Sequence, residues 1–213
     1  MAITTLNLRG LNRSDTATTG QVVTATSAVA ADFQDAAGGA WTFIKSQTAS
    51  SSSSIDFVHG TSDVVFDGTY IAYQLHGIYV DNATDNESVT LLLSTDAGSS
   101  YITSGYDTRQ FRYVESTTSH MSNQTSEAMR IDSTGTAAGC HANFIVDFWK
   151  PNQTASMTQI YYRGTYRNNS AQAATFSGSS IYEAAGDIDA FRIIPTSGNI
   201  EAGQFLLYGL SGS

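Results

Sequence analysis

Apolar and polar residues alternate at period two through most of this chain, and no stretch sustains a helical period. The clearest alternation runs from Thr69 to Asp81. One face carries Tyr70, Ala72, Gln74, His76 and Ile78; the other carries Ile71, Tyr73, Leu75, Gly77 and Tyr79. Both faces are largely apolar, which predicts a strand in the middle of a sheet. Asp81 to Glu87 reads as a polar hairpin turn, and Ser88 to Thr95 as the return strand, apolar at Val89, Leu91 and Leu93. Further strands are expected at Ala40–Ser46, Ile55–His59, Tyr101–Ile102, Gln110–Glu115, Met129–Ile131, Ala142–Lys150, Met157–Arg167 and Ser180–Glu183. Residues 49–54 read as a short Ala-Ser turn. The chain closes on two runs, Gly186 to Pro195 and Gln204 to Leu210, joined by turn residues Thr196-Ser197-Gly198-Asn199. Pro151 and Pro195 both fall at strand ends, where a lost backbone donor is tolerated. About ten to twelve short strands separated by turns predict an all-β protein, a jelly-roll-like β-sandwich over residues 40–213.

Residues 1–39 break this pattern. They hold little bulky apolar material after Leu11 and are rich in Thr, Ala and Ser. Leu6, Leu8 and Leu11 offer anchoring points, Val22 and Val23 a short strand, and Val29 to Asp35 a helical turn. A segment without its own core is expected to be an extended N-terminal arm that anchors the protein or bridges subunits.

Composition narrows the function classes. The 213 residues are enough for one domain with a sizeable core plus the arm. The net charge of -9 argues against a binder of phosphate backbones and against docking on an anionic membrane. Neither a nucleic-acid nor a membrane partner is expected. The N-terminal residues lack the apolar core of a secretory leader, and no apolar run approaches the length of a membrane span. Cys140 is the single cysteine, so no intrachain disulfide forms.

Few residues suggest chemistry. Ser94, Asp96, Gly98 and Tyr101 fit the S-x-D-x-G-x-[ST]-[WFY] pattern, which resembles the Asp-box turn of sialidase-type propellers. It occurs once here and reads as a structural turn, with Asp96 accepting from turn amides and Gly98 supplying a positive φ. Asp81, Asp85 and Glu87 gather oxygens in one loop and would suit a loosely held Ca²⁺, although the loop lacks EF-hand spacing. No other cofactor is expected. Adjacent residues in a strand face opposite ways, so Cys140 and His141 would not meet as nucleophile and base. Glu115, Glu127, Asp132 and Asp147 are the carboxylates a glycosidase could pair, but no spacing selects two of them. An enzyme is therefore not expected. Tyr106, Tyr113, Tyr162 and Tyr166 are candidates for a subunit interface or a glycan surface, since tyrosine pairs an apolar ring with a polar tip. In Tyr161-Tyr162, one ring must point away from the core and needs a partner.

The closing segment, GDIDAFRIIPTSGNIEAGQFLLYGL from Gly186 to Leu210, resembles the termini of small β-sandwich structural proteins of tailed bacteriophages. The specific signal lies in residues 69–106 and 186–210. The resemblance implies a virion component made in the host cytoplasm, most simply a capsid decoration protein of the cement or head-fibre type attached through its arm. The alternative is a tail fibre or receptor-binding protein contacting host surface glycan. The expected partners are further copies of the chain, a trimer being favoured, and other phage virion proteins.

Overall fold

The computed structural model describes residues 21–25, 31–35, 40–115 and 117–212, with side chains for 40–115, 119 and 125–212. The chain divides into two compact units, Met1–Gly39 and Ala40–Ser213. In the first, β1 (Gln21–Ala25) pairs antiparallel with β2 (Ala31–Asp35), Gln21 facing Asp35 and Ala25 facing Ala31. Val22 and Val23 do form a short strand. Ala31–Asp35 is extended rather than a helical turn, because it completes that hairpin. Leu6, Leu8 and Leu11 lie outside the described residues.

The second unit is a two-sheet sandwich. Its large sheet runs, edge to edge, through β3 (Trp41–Ser52), β14 (Ile200–Ser211), β5 (Tyr70–Asn82), β10 (Ala142–Trp149), β11 (Met157–Arg167), β12 (Ala173–Ala185), β7 (Tyr106–Val114) and β8 (Thr117–Gln124). The small sheet runs through β4 (Ile55–Val58), β13 (Ala190–Pro195), β6 (Glu87–Ser94) and β9 (Met129–Thr134). Every strand pairing is antiparallel, and no helix occurs among the described residues.

One apolar core joins the sheets. Tyr73, Leu75, Val146, Phe148, Phe205 and Leu207 come from the large sheet; Phe57, Val89, Leu91, Leu93, Phe191 and Ile193 come from the small one. The Phe191 ring stacks between Phe148 and Phe57, with centroids 4.8 and 5.0 Å away. Across the inner face of the large sheet, one row alternates aromatic and glycine: Phe205, Gly77, Phe144, Gly164, Phe176. A Cβ on Gly77 would lie 2.3 Å from the Phe144 ring, and one on Gly164 would lie 2.4 Å from the Asn143 carbonyl oxygen. The glycines therefore make room for the rings, which fill the space between strands.

The structure departs from the strand reading in several places. β5 is central, as expected, but its alternation breaks at a bulge. Ile78 and Tyr79 together oppose Asn143, Tyr79 takes a φ of +52°, and its amide donates to Asn143 Oδ1 at 3.0 Å. Val80 and Asn82 then face the core in place of Tyr79. Residues 49–52 are not a turn; they continue β3, whose serines pair with Ile200 and Ala202 at the sheet edge. Tyr101–Ile102 is a loop whose Ile102 amide donates to the Leu93 carbonyl at 2.8 Å. β6 does not return beside β5. It joins the opposite sheet, so Ala83–Asn86 is an inter-sheet crossing and not a hairpin turn. The closing runs β13 and β14 separate in the same way.

Candidate functional site

The outer face of the large sheet is unusually aromatic. Its strands place Trp41, Leu210, Ala72, Trp149, Gln159 and Ile181 side by side in one row. The next row holds Phe43, Tyr208, Gln74, Asp147, Tyr161 and Ser179. Phe43 is 54% exposed and Trp149 is 51% exposed. In β10 the residues alternating with Trp149 are buried, so pleating forces Trp149 outward, while Phe43 lies on the edge strand β3, whose Ile44 packs against the core. Phe43 meets Tyr208 edge-on with centroids 5.7 Å apart, and Tyr208 meets His76 at 5.3 Å.

A polar chain runs through this apolar field. Gln74 Nε2 donates to Asp147 Oδ1 at 2.6 Å, and Arg163 Nη1 donates to Asp147 Oδ2 at 2.9 Å. His76 Nε2 donates to Gln74 Oε1 at 2.7 Å. Asp147 is only 7% exposed, yet both of its oxygens are bonded. Burial pushes the His76 imidazole below its usual value, against the pull of Asp147. The face can thus be covered without stranding an unpaired carboxylate.

The tyrosines named from sequence separate sharply. Tyr113 lies on this outer face, near the opposite end of the sheet, and is 43% exposed. Tyr106, Tyr162 and Tyr166 are buried core residues and cannot serve as interface or glycan contacts. Their positions in β7 and β11 have inward parity. The Tyr106 hydroxyl accepts the Leu93 amide at 2.9 Å and donates to the Ile102 carbonyl at 3.1 Å. The Tyr166 hydroxyl accepts from Arg112 Nη1 at 3.3 Å. Burial raises the pKa of all three phenols. In the Tyr161-Tyr162 pair, Tyr162 is the core ring and Tyr161 the outward one, its hydroxyl 3.0 Å from Ser177 Oγ.

The Ser94 to Tyr101 segment is tied mostly to itself. Ser94 Oγ donates to Asp96 Oδ1 at 2.8 Å and accepts the Gly98 amide at 3.0 Å. The Ser100 amide and hydroxyl donate to Asp96 at 2.9 and 2.6 Å. Gly98 has a φ of +75°. Arg192 lies over the Tyr101 ring, 4.0 Å from its centroid, and grips Asp56 with two bonds of 2.8 and 2.6 Å. Burial raises the Tyr101 phenol to about 12.

Asp81, Asp85 and Glu87 turn to different partners. Asp81 lies 3.0 Å from His141 Nδ1, Asp85 accepts the Thr136 amide at 3.1 Å, and Glu87 accepts the Thr196 hydroxyl at 2.5 Å. No group of three or more His, Cys, Asp or Glu is placed to hold a metal among the described residues. Cys140 is buried with its sulfur 3.9 Å from the Asn168 carbonyl, while the neighbouring His141 reaches Asp81 and Tyr79. Glu127 and Asp132 are both held by Arg130, Asp147 belongs to the outer-face chain, and Glu115 stands at the end of β7.

Sequence reasoning passed over Trp41, Phe43, Trp149 and Ile181. The available signal was bulky apolar residues at both parities of one strand, as in Phe148-Trp149, since a single core claims only one parity. No family model, curated protein or solved structure matches this chain.

Proposed function

We propose that this chain is a structural component of a bacteriophage virion, best suited to capsid decoration, which associates with its own copies through the outer face of the large sheet. The observation that carries the assembly reading is the row of Trp41, Trp149 and Ile181 with Phe43 and Tyr161 beside it. Monomeric proteins rarely leave contiguous apolar surface of this kind uncovered, and aromatic residues are enriched where subunits meet. A second copy is the fitting occupant: the face exposes Trp41, Phe43, Trp149 and Ile181, and the buried carboxylate of Asp147 on it is already satisfied. The strand order supports the jelly-roll reading. With β7, β8, β11 and β12 set aside, the remaining eight strands in chain order read 1-8-3-6 and 2-7-4-5, two interlocked Greek keys. The virion assignment itself rests on the likeness of residues 69–106 and 186–210 to phage structural proteins. Immunogold imaging of intact particles from the source tests it. Label over the heads supports decoration, label confined to the tail end supports the fibre alternative, and unlabelled particles exclude a virion role.

A further inference from the structure

We propose that the rim of the sandwich around Glu115 binds a short oligosaccharide. Two concavities meet at this residue. On the outer-face side, a groove of about 420 Å³ is lined by Tyr113, Glu115, His141 and Arg167. On the other side, a cleft of about 440 Å³ is lined by Arg112, Glu115, Ser119 and Asn169. Each has the volume of an ordinary small-molecule site, and Glu115 lines both.

The chemistry at the rim matches a hydroxyl-rich ligand with an apolar ring face. Tyr113 offers a half-exposed ring on which the C–H face of a sugar can lie. Glu115 terminates β7 at a φ of +49°, and its amide donates to the Ala173 carbonyl at 3.4 Å. The backbone is thereby tied down while the exposed carboxylate remains available to accept from hydroxyls. Arg112 and Arg167 supply donors on either side. Arg112 is held in place by Ser119 Oγ at 3.2 Å, the Tyr166 hydroxyl at 3.3 Å and Asp132 at 3.5 Å, so little ordering cost remains on binding. On the outer-face side, His141 is positioned by Asp81 at 3.0 Å and by the Tyr79 ring at 5.2 Å. The chain's net charge of -9 disfavours a polyanion such as nucleic acid as the occupant. Charges of both signs around Glu115, from Arg112 and Arg167 as well as its own carboxylate, disfavour an apolar peptide.

The site lies two rows away from the row that Phe43 and Tyr161 share, and uses none of the residues assigned to assembly. Its failure would leave the assembly reading intact, and the converse holds as well. The test is a titration of the full chain with maltotriose, cellotriose, chitotriose and sialyllactose, followed by amide NMR. At least one sugar should bind in the micromolar-to-millimolar range, with shifts centred on Tyr113, Glu115 and Arg167. Tyr113→Ala and Glu115→Gln should each weaken that binding by about tenfold, with the unfolding midpoint unchanged, while Trp149→Ala should leave it unaltered. Absence of binding by all four sugars at millimolar concentration would overturn the proposal. So would shifts centred elsewhere, or binding indifferent to both rim substitutions.

Discussion

Single residues decide how closely the large sheet packs. Gly164 lies between Phe144 and Phe176, and a methyl group there would strike the Asn143 carbonyl, which the β10–β11 ladder holds in place. Gly164→Ala should therefore destabilise the domain by about 1–3 kcal/mol, the usual cost of overpacking, read from the urea midpoint. An unchanged midpoint would mean that the row tolerates expansion. Asp96 makes a different prediction. The Ser100 hydroxyl foremost, then the Ser100 amide and the Ser94 hydroxyl, holds its carboxyl below the ordinary 3.8. A carboxylate depressed in the folded state contributes stability above its unfolded pKa and loses it as pH falls through the folded value. The wild-type melting temperature should thus drop as pH falls below 3.8. Asp96→Asn should show a shallower drop across the same range. Parallel melting curves for the two proteins would argue that the turn bonds contribute nothing to stability.

At the level of elements, Arg192 ties three pieces together: β13 by its backbone, β4 through Asp56, and the Asp96 turn through the Tyr101 ring. The guanidinium fork is what permits all three contacts. Arg192→Lys keeps the charge but loses the second bond and the flat stacking surface, and should cost about 1 kcal/mol in equilibrium unfolding. Alternation along the chain made most strands legible, including β5, β10 and β11, because core and solvent impose opposite demands on neighbouring side chains. It did not make sheet membership legible. Residues 83–86 and 196–199 look like hairpin turns because they are polar and rich in turn formers, yet each carries the chain from one sheet to the other. Turn chemistry reports that the chain changes direction and is silent on which sheet it enters. β8 was missed because Thr117–Gln124 is polar apart from Met121 and lies at an edge, where pairing needs little burial. The tyrosines show the same limit at the candidate site: residue type suggested a surface, but parity within β7 and β11 sent Tyr106, Tyr162 and Tyr166 into the core.

For the whole molecule, the chain divides into two compact units, and within the second the outer face of the large sheet exposes Trp41, Phe43, Trp149 and Ile181, the residues on which the proposed assembly rests. The sandwich has its own core, so a chain lacking residues 1–39 should remain folded by circular dichroism, and the proposed decoration role predicts that it loses attachment to capsids. Retained attachment would assign docking to the sandwich instead. The most direct measurement is the solution mass of the full chain, by light scattering on a sizing column, beside Trp149→Arg and Phe43→Lys variants. The account expects a homo-oligomer for the wild type and monomers of unaltered fold for both variants. A wild-type monomer at high concentration, or an oligomer that both substitutions leave intact, would contradict assembly through the outer face of the large sheet.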